Sequence, residues 1–190
     1  AMGEFDFYVL SLSWSATWCE LTGARRGARQ CEPGRNPGFV VHGLWPQYER
    51  GYPAFCGPDG RNPSRAAMNR AETVLPDQGL ARHQWRKHGS CSGLPPEAYF
   101  DATAAARTRV KVPEKLIAPR ENTRLAPLDI ERAFADVNPG LRADMMSVTC
   151  DRGMLEEIRI CFTKDLRGFR SCEQVDRDSC RAREITVPSA

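Results

Sequence analysis

The chain contains 190 residues, of which 41% are hydrophobic and 27% are charged, and it carries a net charge of +3. These values are typical of a globular domain and exclude a disordered or fibrous chain. No stretch of about 20 apolar residues occurs, so the sequence predicts no membrane-spanning helix. The positive excess suits a polyanionic partner but is too small to indicate one by itself. We expect a single domain over residues 1–190.

The first predicted elements are two strands. The stretch from Phe5 to Trp14 mixes aromatic and β-branched side chains with partial alternation, which indicates a strand. Residues 22–38 are rich in glycine, arginine and proline and are predicted to be loop. The short apolar run from Gly38 to Gly43 ends on a histidine and a glycine, as expected of a buried strand that delivers its last side chain into a cleft. A second loop is predicted to continue to about residue 63.

Helical patterns occupy the middle of the chain, and strand patterns return at its end. Four helices are predicted: Ser64–Leu75, Leu80–His88, Pro95–Val110 and Pro127–Val137. Three strands are predicted after them: Met145–Thr149, Leu155–Thr163 and Phe169–Cys172. Gly89 is expected to end the second helix as its C′ residue. Strands at both ends with helices between them indicate an α+β domain.

Eight cysteines are spread along the chain: Cys19, Cys31, Cys56, Cys91, Cys150, Cys161, Cys172 and Cys180. An even number in this pattern predicts four disulfides and an oxidising compartment. A zinc site would normally show closer pairs than these, so zinc is disfavoured. We therefore expect a secreted or periplasmic protein whose signal peptide has been removed, with Ala1 and Met2 as a candidate cloning remnant. Spacing alone leaves the pairing of the cysteines open.

All three histidines fall in two short segments, with His42 in the first and the other two in the second. On a helix with about 100° per residue, four polar residues of the second segment share one face: His83, Gln84, Lys87 and His88. Two imidazoles, an amine and an amide on one face make a poor hydrophobic contact and a good pocket for an anion. An isolated histidine is more often a packing or surface residue, but two beside a lysine favour a functional site.

The spacing of the two histidines on this helix disfavours a metal site, because zinc-binding pairs usually stand one helical turn apart and Lys87 would repel a cation. Imidazole suits phosphodiester cleavage instead, since it titrates near neutrality. A neutral ring can accept the proton of a 2′-hydroxyl while a charged ring donates to the departing 5′-oxygen. DNA lacks the 2′-hydroxyl, so RNA is the expected substrate. We expect no metal ion and no cofactor.

Both segments resemble motifs of a known family. The segment His42-Gly43-Leu44-Trp45-Pro46 is similar to the first active-site motif of the T2 ribonucleases, and His83-Gln84-Trp85-Arg86-Lys87-His88-Gly89-Ser90-Cys91 is similar to their second. The resemblance extends over most of the chain, more loosely over residues 105–145. It implies an α+β fold with a central, mainly antiparallel sheet flanked by helices. It also implies metal-independent cleavage of single-stranded RNA through a 2′,3′-cyclic phosphate to a 3′-phosphate.

The resemblance also assigns roles to residues of this chain. It implies that His88 is the general base and His42 the general acid, and the two labels could be exchanged. His83 and Lys87 are implied to hold the phosphate and stabilise its charge. Trp45 is implied to stack on the nucleobase, with core packing as the alternative interpretation. Tyr52 is a weaker candidate, for contact with the opposite side of that base.

Two positions depart from the family pattern. Gln84 stands where the family commonly has Glu, and an amide can hydrogen-bond a phosphate oxygen but cannot carry charge or shuttle a proton. We therefore expect slower cleavage or a shifted pH optimum. Gln47, a candidate base-binding residue, stands where the family often has Asp. Because an amide both donates and accepts, it should discriminate less sharply between bases, and the base preference stays open.

The resemblance further implies one disulfide pairing among the roughly 100 that eight cysteines allow. The implied pairs are Cys19–Cys31, Cys56–Cys91, Cys150–Cys180 and Cys161–Cys172. The second pair ties the loop after the first motif to the end of the histidine-bearing helix, so we expect its loss to lower activity as well as stability.

Two other functions compete with a ribonuclease. A T2-like RNA-binding protein with weak or lost catalysis is favoured only by Gln84. A secreted disulfide scaffold for a protein partner leaves the clustering of the histidines unexplained. We therefore expect a monomeric endoribonuclease of broad base specificity that acts on single-stranded RNA.

Overall fold

The computed structural model describes residues 2–57 and 62–190. Ala1 and part of the loop predicted to end near residue 63 lie outside the described residues. The described residues group into two compact units. One contains residues 2–11, 41–57, 62–110 and 160–170. The other contains Leu12–Val40, Lys111–Arg159 and Ser171–Ala190. The single domain over residues 1–190 stays a prediction.

Strands lie towards both ends of the chain, and the longer helices lie between them, as expected of an α+β fold. The strands of the described residues are β1 (Phe7–Trp14), β2 (Phe39–Gln47), β3 (Thr123–Leu125), β4 (Met146–Asp151), β5 (Met154–Thr163) and β6 (Ile185–Val187). The α-helices are α1 (Ser15–Trp18), α2 (Arg65–Ala71), α3 (Gln78–Lys87), α4 (Pro96–Thr108), α5 (Pro127–Val137) and α6 (Glu173–Arg177). Short 3₁₀ turns lie at Arg29–Cys31, Gly89–Cys91, Glu114–Leu116 and Ala143–Met145, and a π turn lies at Cys19–Gly23. The predicted fold class, α+β, is confirmed.

The strands form one sheet in the order β2-β1-β5-β6-β3, and β4 pairs with β5 outside this path. β3 and β6 run antiparallel, with Thr123 opposite Val187. β5 and β6 run parallel, so the sheet is mixed. A parallel pair cannot be closed by a tight turn, and the connection from β5 to β6 accordingly contains a helix, α6.

The helix starts show why these segments are helical. The Ser64 hydroxyl accepts the Ala67 N–H ahead of α2 at 3.2 Å. The Asp77 carboxylate accepts the Leu80 N–H ahead of α3 at 2.7 Å. α4 and α5 both have proline in the first turn, where its missing N–H costs little. The Asp77 cap starts α3 at Gln78, slightly earlier than predicted.

The strand predicted at Phe169–Cys172 is wrong. Phe169 forms only a single bridge, with Phe162. Beyond it the chain leaves β5, because the Cys172 N–H donates to the Asp144 carbonyl at 3.2 Å and Cys172 itself caps α6. The second predicted strand was too short, since β2 continues to Gln47. Of the described helices, none combines the length and hydrophobicity that a membrane crossing requires.

Candidate active site

Two elements of the same compact unit carry the two motifs. β2 carries the first, with His42 and Trp45 partly exposed and the residues between them buried. α3 and the turn after it carry the second, with Gln84 and His88 buried at 1% and 5% exposure and His83 exposed. The four polar residues predicted to share one face therefore differ in burial, and only part of that face meets solvent.

Trp45 is the residue through which the two motifs meet. Its ring stacks on the His88 imidazole, with centroids 5.2 Å apart and planes at 27°. It meets His42 edge to face, with centroids 5.2 Å apart and planes at 81°. Its indole N–H donates to Oε1 of Gln84 at 2.7 Å. One indole thus contacts two histidines and the buried amide.

Gly43 provides the space for this arrangement. A Cβ atom at this position would lie 2.0 Å from Oε1 of Gln84 and 2.5 Å from Nε1 of Trp45. No side chain fits at those distances, so the glycine between His42 and Leu44 is required by the close approach of Gln84. The Leu44 carbonyl accepts a hydrogen bond from the buried Tyr99 hydroxyl at 2.5 Å, which holds this part of β2.

The second motif ends differently from the prediction. α3 ends at Lys87, and His88 is its C-cap, with its N–H donating to the Gln84 carbonyl at 2.9 Å. Gly89 lies in the 3₁₀ turn that follows and is not among the residues of positive φ, so it is not a left-handed C′ glycine. Packing explains why position 89 is a glycine, because a Cβ there would lie 2.4 Å from the Trp85 ring and 2.7 Å from the Tyr99 ring.

The loop after the first motif is attached to the end of α3. The Phe55 N–H donates to the Lys87 carbonyl at 2.8 Å, and the Cys56 N–H donates to the Ser90 hydroxyl at 3.0 Å. A disulfide joins Cys56 to Cys91. This loop carries Tyr52, whose ring centroid lies 6.2 Å from that of His88 and 5.8 Å from Nζ of Lys87.

Burial and neighbouring positive charge both disfavour protonation of the imidazoles. Burial, followed by Lys87, His42 and His83, lowers the pKa of His88 to about 3. His83 is exposed overall, and the desolvation of part of its ring, followed by Lys87, Arg86 and His42, lowers its pKa. Nδ1 of His88 is buried and has no hydrogen-bond partner among the described residues. A neutral ring at His88 is therefore available to accept a proton near neutral pH.

The structure brings together most of the residues that the sequence singled out. His42, Trp45, Gln84 and His88 are linked by direct contacts, and Lys87 and Tyr52 adjoin them. Gln47, predicted to bind the base, is buried with 8% of its surface exposed, and its backbone carbonyl accepts the Asp6 N–H at 2.8 Å.

Sequence reasoning missed three residues of this region: Gly43, Phe55 and Tyr99. Gly43 lies inside the first motif, but the close approach of Gln84 to it involves two segments that are distant in the chain. Phe55 and Tyr99 had no distinguishing pattern, because one is exposed and the other buried only in the folded chain.

Three of the disulfide pairs that the resemblance implies are present in the structure. Disulfides join Cys19 to Cys31, Cys56 to Cys91 and Cys150 to Cys180. Cys161 and Cys172 are disulfide-bonded as well, and none of the chain's eight cysteines is free.

The fold and the site together define a class of protein, namely disulfide-linked α+β proteins with two histidines in contact with one tryptophan and a lysine beside a neighbouring tyrosine. The family model described as the ribonuclease T2 family matches residues 5–172. The chain belongs to this family.

Relatives and one solved structure show the extent of the likeness. A ribonuclease of Aeromonas hydrophila is 41% identical over 114 residues, covering 60% of this chain and 50% of the relative. A probable ribonuclease of Haemophilus influenzae is 29% identical over 176 residues, covering 86% and 60%. This chain thus spans only about half of the former and three fifths of the latter. The crystal structure of RNase NT in complex with 5′-AMP has the same fold, with a TM-score of 0.71 at 23% identity over 98% of this chain and 100% of that one.

Proposed function

We propose that this protein is an endoribonuclease that cleaves single-stranded RNA by transphosphorylation, without a metal ion or cofactor. The observation that carries the proposal is the contact of two histidines with one indole, with His88 buried so that its pKa is lowered, and His42 partly exposed. Membership of the ribonuclease T2 family supports it, as do relatives named ribonucleases. RNase NT, which shares the fold, binds the nucleotide 5′-AMP.

The proposed reaction begins when neutral His88 accepts the proton of a 2′-hydroxyl. The 2′-oxygen attacks phosphorus, the bond from phosphorus to the 5′-oxygen breaks, and protonated His42 donates its proton to that leaving oxygen. The product carries a 2′,3′-cyclic phosphate, which water then hydrolyses to a 3′-phosphate with the two roles exchanged. Lys87 and His83 stabilise the charge on the phosphate oxygens.

The lowered pKa supports His88 as the base, because a ring that resists protonation stays competent to accept a proton. A bound phosphate is an anion and raises the pKa of nearby imidazoles toward the range of efficient proton transfer. The pH dependence of kcat/KM reports the free enzyme. We therefore expect its acid limb to lie below the ordinary histidine pKa of 6.5.

Gln84 has a defined orientation in this mechanism. An indole N–H can only donate, so the atom of Gln84 that faces Trp45 must be the oxygen. The amide nitrogen of Gln84 is then the group left to donate to a phosphate oxygen. The residue positions the indole and neutralises no charge.

Two further features belong to the proposal. Stacking on Trp45 and Tyr52, with Gln47 as a weak discriminator, gives broad base specificity, because every base has a ring face. Secretion or a periplasmic location is supported by the disulfides, which persist in oxidising compartments. We propose that the protein acts as a monomer.

The test is incubation with single-stranded RNA in EDTA, followed by mass spectrometry of the product ends. Cyclic 2′,3′-phosphate ends that disappear in both His42→Ala and His88→Ala, but persist in the control Arg82→Ala on the same helix, support the proposal. Cleavage that requires added divalent metal contradicts it. Absence of cleavage under both conditions, with RNA still bound, favours the RNA-binding alternative.

A further inference from the structure

One loop outside the two histidine motifs carries three positive charges that no acid of the loop balances. Residues 22–31, the arginine loop, contain Arg25, Arg26 and Arg29 and no acidic residue. All three arginines are exposed. The charge of this loop thus equals the net charge of the whole chain, +3. A segment of this kind attracts anions to the surface of the protein.

The arginines of this loop also lack the acidic partners that many arginines of the chain have. Ion pairs elsewhere include Arg35–Glu32, Arg124–Glu184 and Arg142–Asp144. Among the described residues, none forms an ion pair with the three arginines of the loop. Like charges so close in the chain repel one another. Contacts within the fold therefore do not explain the cluster, and its charge fits a polyanion.

Backbone hydrogen bonds and a disulfide order the arginine loop. The Gly23 carbonyl accepts the N–H groups of Arg26 and Ala28, both at 3.1 Å. A disulfide joins Cys19 to Cys31 at the end of the loop. Gly23 packs against this disulfide, because a Cβ atom there would lie 2.6 Å from Sγ of Cys31. Since the backbone is already ordered, a partner that binds the loop has to order only the side chains.

The side chains of the loop suit phosphate groups in particular. A guanidinium group is planar and always charged, and it can donate two parallel N–H groups to two oxygens of one phosphate. The loop contains no histidine and no aromatic residue. It therefore has groups that can hold the backbone of a nucleic acid strand, but none for acid–base cleavage and no ring for stacking on a base.

We propose that the arginine loop binds the phosphate backbone of single-stranded RNA, as a contact with the substrate that is distinct from the catalytic residues. The choice of RNA among polyanions rests on the proposed function. The contact is independent of base sequence, because phosphate groups carry no sequence information. A strand that is bound at the loop and at the catalytic residues gains affinity from both, so the loop favours long RNA over short fragments.

Binding of uncleavable RNA tests the loop directly. The ligand is a long 2′-O-methyl oligonucleotide, which lacks the attacking hydroxyl, and fluorescence anisotropy gives its affinity at several salt concentrations. For single strands, each phosphate contact adds about 0.7 to the slope of log affinity against log salt. We expect Arg25→Ala/Arg26→Ala/Arg29→Ala to reduce this slope by about 2. The advantage of the wild type in affinity should then shrink about 20-fold between about 50 mM and about 200 mM salt.

Two further variants separate the loop from charge in general. Lys115→Ala/Arg181→Ala/Arg183→Ala removes the same charge at other exposed positions and should leave the slope close to that of the wild type. Replacement of the three loop arginines by lysine keeps the charge and should keep the slope. Thermal unfolding should be the same in all of these proteins, because the replaced residues are exposed.

Cleavage assays add a second readout. The alanine variant of the loop should raise KM for long RNA. Hydrolysis of a nucleoside 2′,3′-cyclic phosphate, which has no strand beyond the reacting phosphate, should be unchanged.

An unchanged slope in the alanine variant of the loop, or an equal fall in the control variant, would overturn the inference. Unchanged RNA binding together with lost binding to vesicles of phosphatidylcholine and phosphatidylglycerol would also overturn it, in favour of a membrane surface. If the wild type binds RNA through the loop but does not cleave it, only the proposed function fails. If cleavage is normal and the slope does not depend on the loop, only this inference fails.

Discussion

Protonation of His88 links the stability of the folded chain to pH. The side chain is 5% exposed, and burial together with the neighbouring positive groups lowers its pKa to about 3 from an ordinary value of 6.5. Between these values the unfolded chain binds a proton that the folded chain does not. The free energy of unfolding therefore falls as pH falls through this window.

The size of the effect follows from the width of the window. Each pH unit inside it corresponds to about 1.4 kcal/mol. Between about pH 8 and about pH 5, only the part below the unfolded pKa counts, which amounts to about 2 kcal/mol. This figure is insensitive to the folded pKa, because the lower pH still lies well above it.

The assay compares urea unfolding of the wild-type protein and His88→Asn at both pH values. We expect the variant to gain about 2 kcal/mol relative to the wild type on acidification, because its amide does not titrate. His83→Asn is the matched control and should gain less, since His83 is exposed. An identical pH dependence in His88→Asn and wild type would refute the reasoning.

The buried carboxyl group of Glu131 changes stability with pH in the direction opposite to His88. Its contribution has to cancel when the three proteins are compared. Burial, followed by Asp176, raises the pKa of Glu131 to about 7 from 4.5. Its folded pKa is raised, so its contribution to stability is complete below pH 4.5 and is lost as pH rises through about 7. Because Glu131 is present in all three proteins, the difference between them isolates the histidine.

Three further changes test the site. Gly43→Ala should lower stability by about 1–3 kcal/mol and reduce cleavage, because the new Cβ collides with the hydrogen-bonded groups of Trp45 and Gln84. Gly57→Ala is the control, since its Cβ makes only an ordinary contact, and thermal unfolding and initial rates compare the two variants. Gln84→Glu should raise the pKa of the buried base through its negative charge and increase the rate several-fold, which histidine NMR titration and rate profiles measure. Replacing the Cys56–Cys91 disulfide by serines and, separately, the disulfide that begins in β4 should each cost about 2–4 kcal/mol, since the loops they close are similar, at separations of 35 and 30 residues. Only the first should also lower kcat.

The site shows how a tryptophan that looks like a base-stacking residue can serve the protein itself. One face of Trp45 covers His88, its N–H is used by Gln84, and His42 approaches the ring edge to face. These contacts exclude water from His88 and hold it between β2 and α3. The proposed stacking on a nucleobase uses only the part of the indole that these contacts leave open.

Much of the local structure was predictable from sequence, because it depends on short-range chemistry. The cap Ser64 and the prolines of α4 and α5 act within one helical turn. The spacing of the histidine-bearing helix placed its polar residues together for the same reason. The strand at Phe169–Cys172 was mispredicted because Asp144, whose carbonyl binds the Cys172 N–H, lies far away in the chain.

Sequence patterns were sufficient to predict the α+β class, the main helices and the residue types available for acid–base chemistry. Which of those residues are buried depends on how distant segments pack together, and burial sets their protonation. His83 and His88 look alike in sequence, yet one is exposed, while the other is covered by an indole from a different segment. The pKa of a side chain and the space available at Gly43 both depend on atoms brought together from distant parts of the chain. Neither can therefore be predicted from a local sequence pattern.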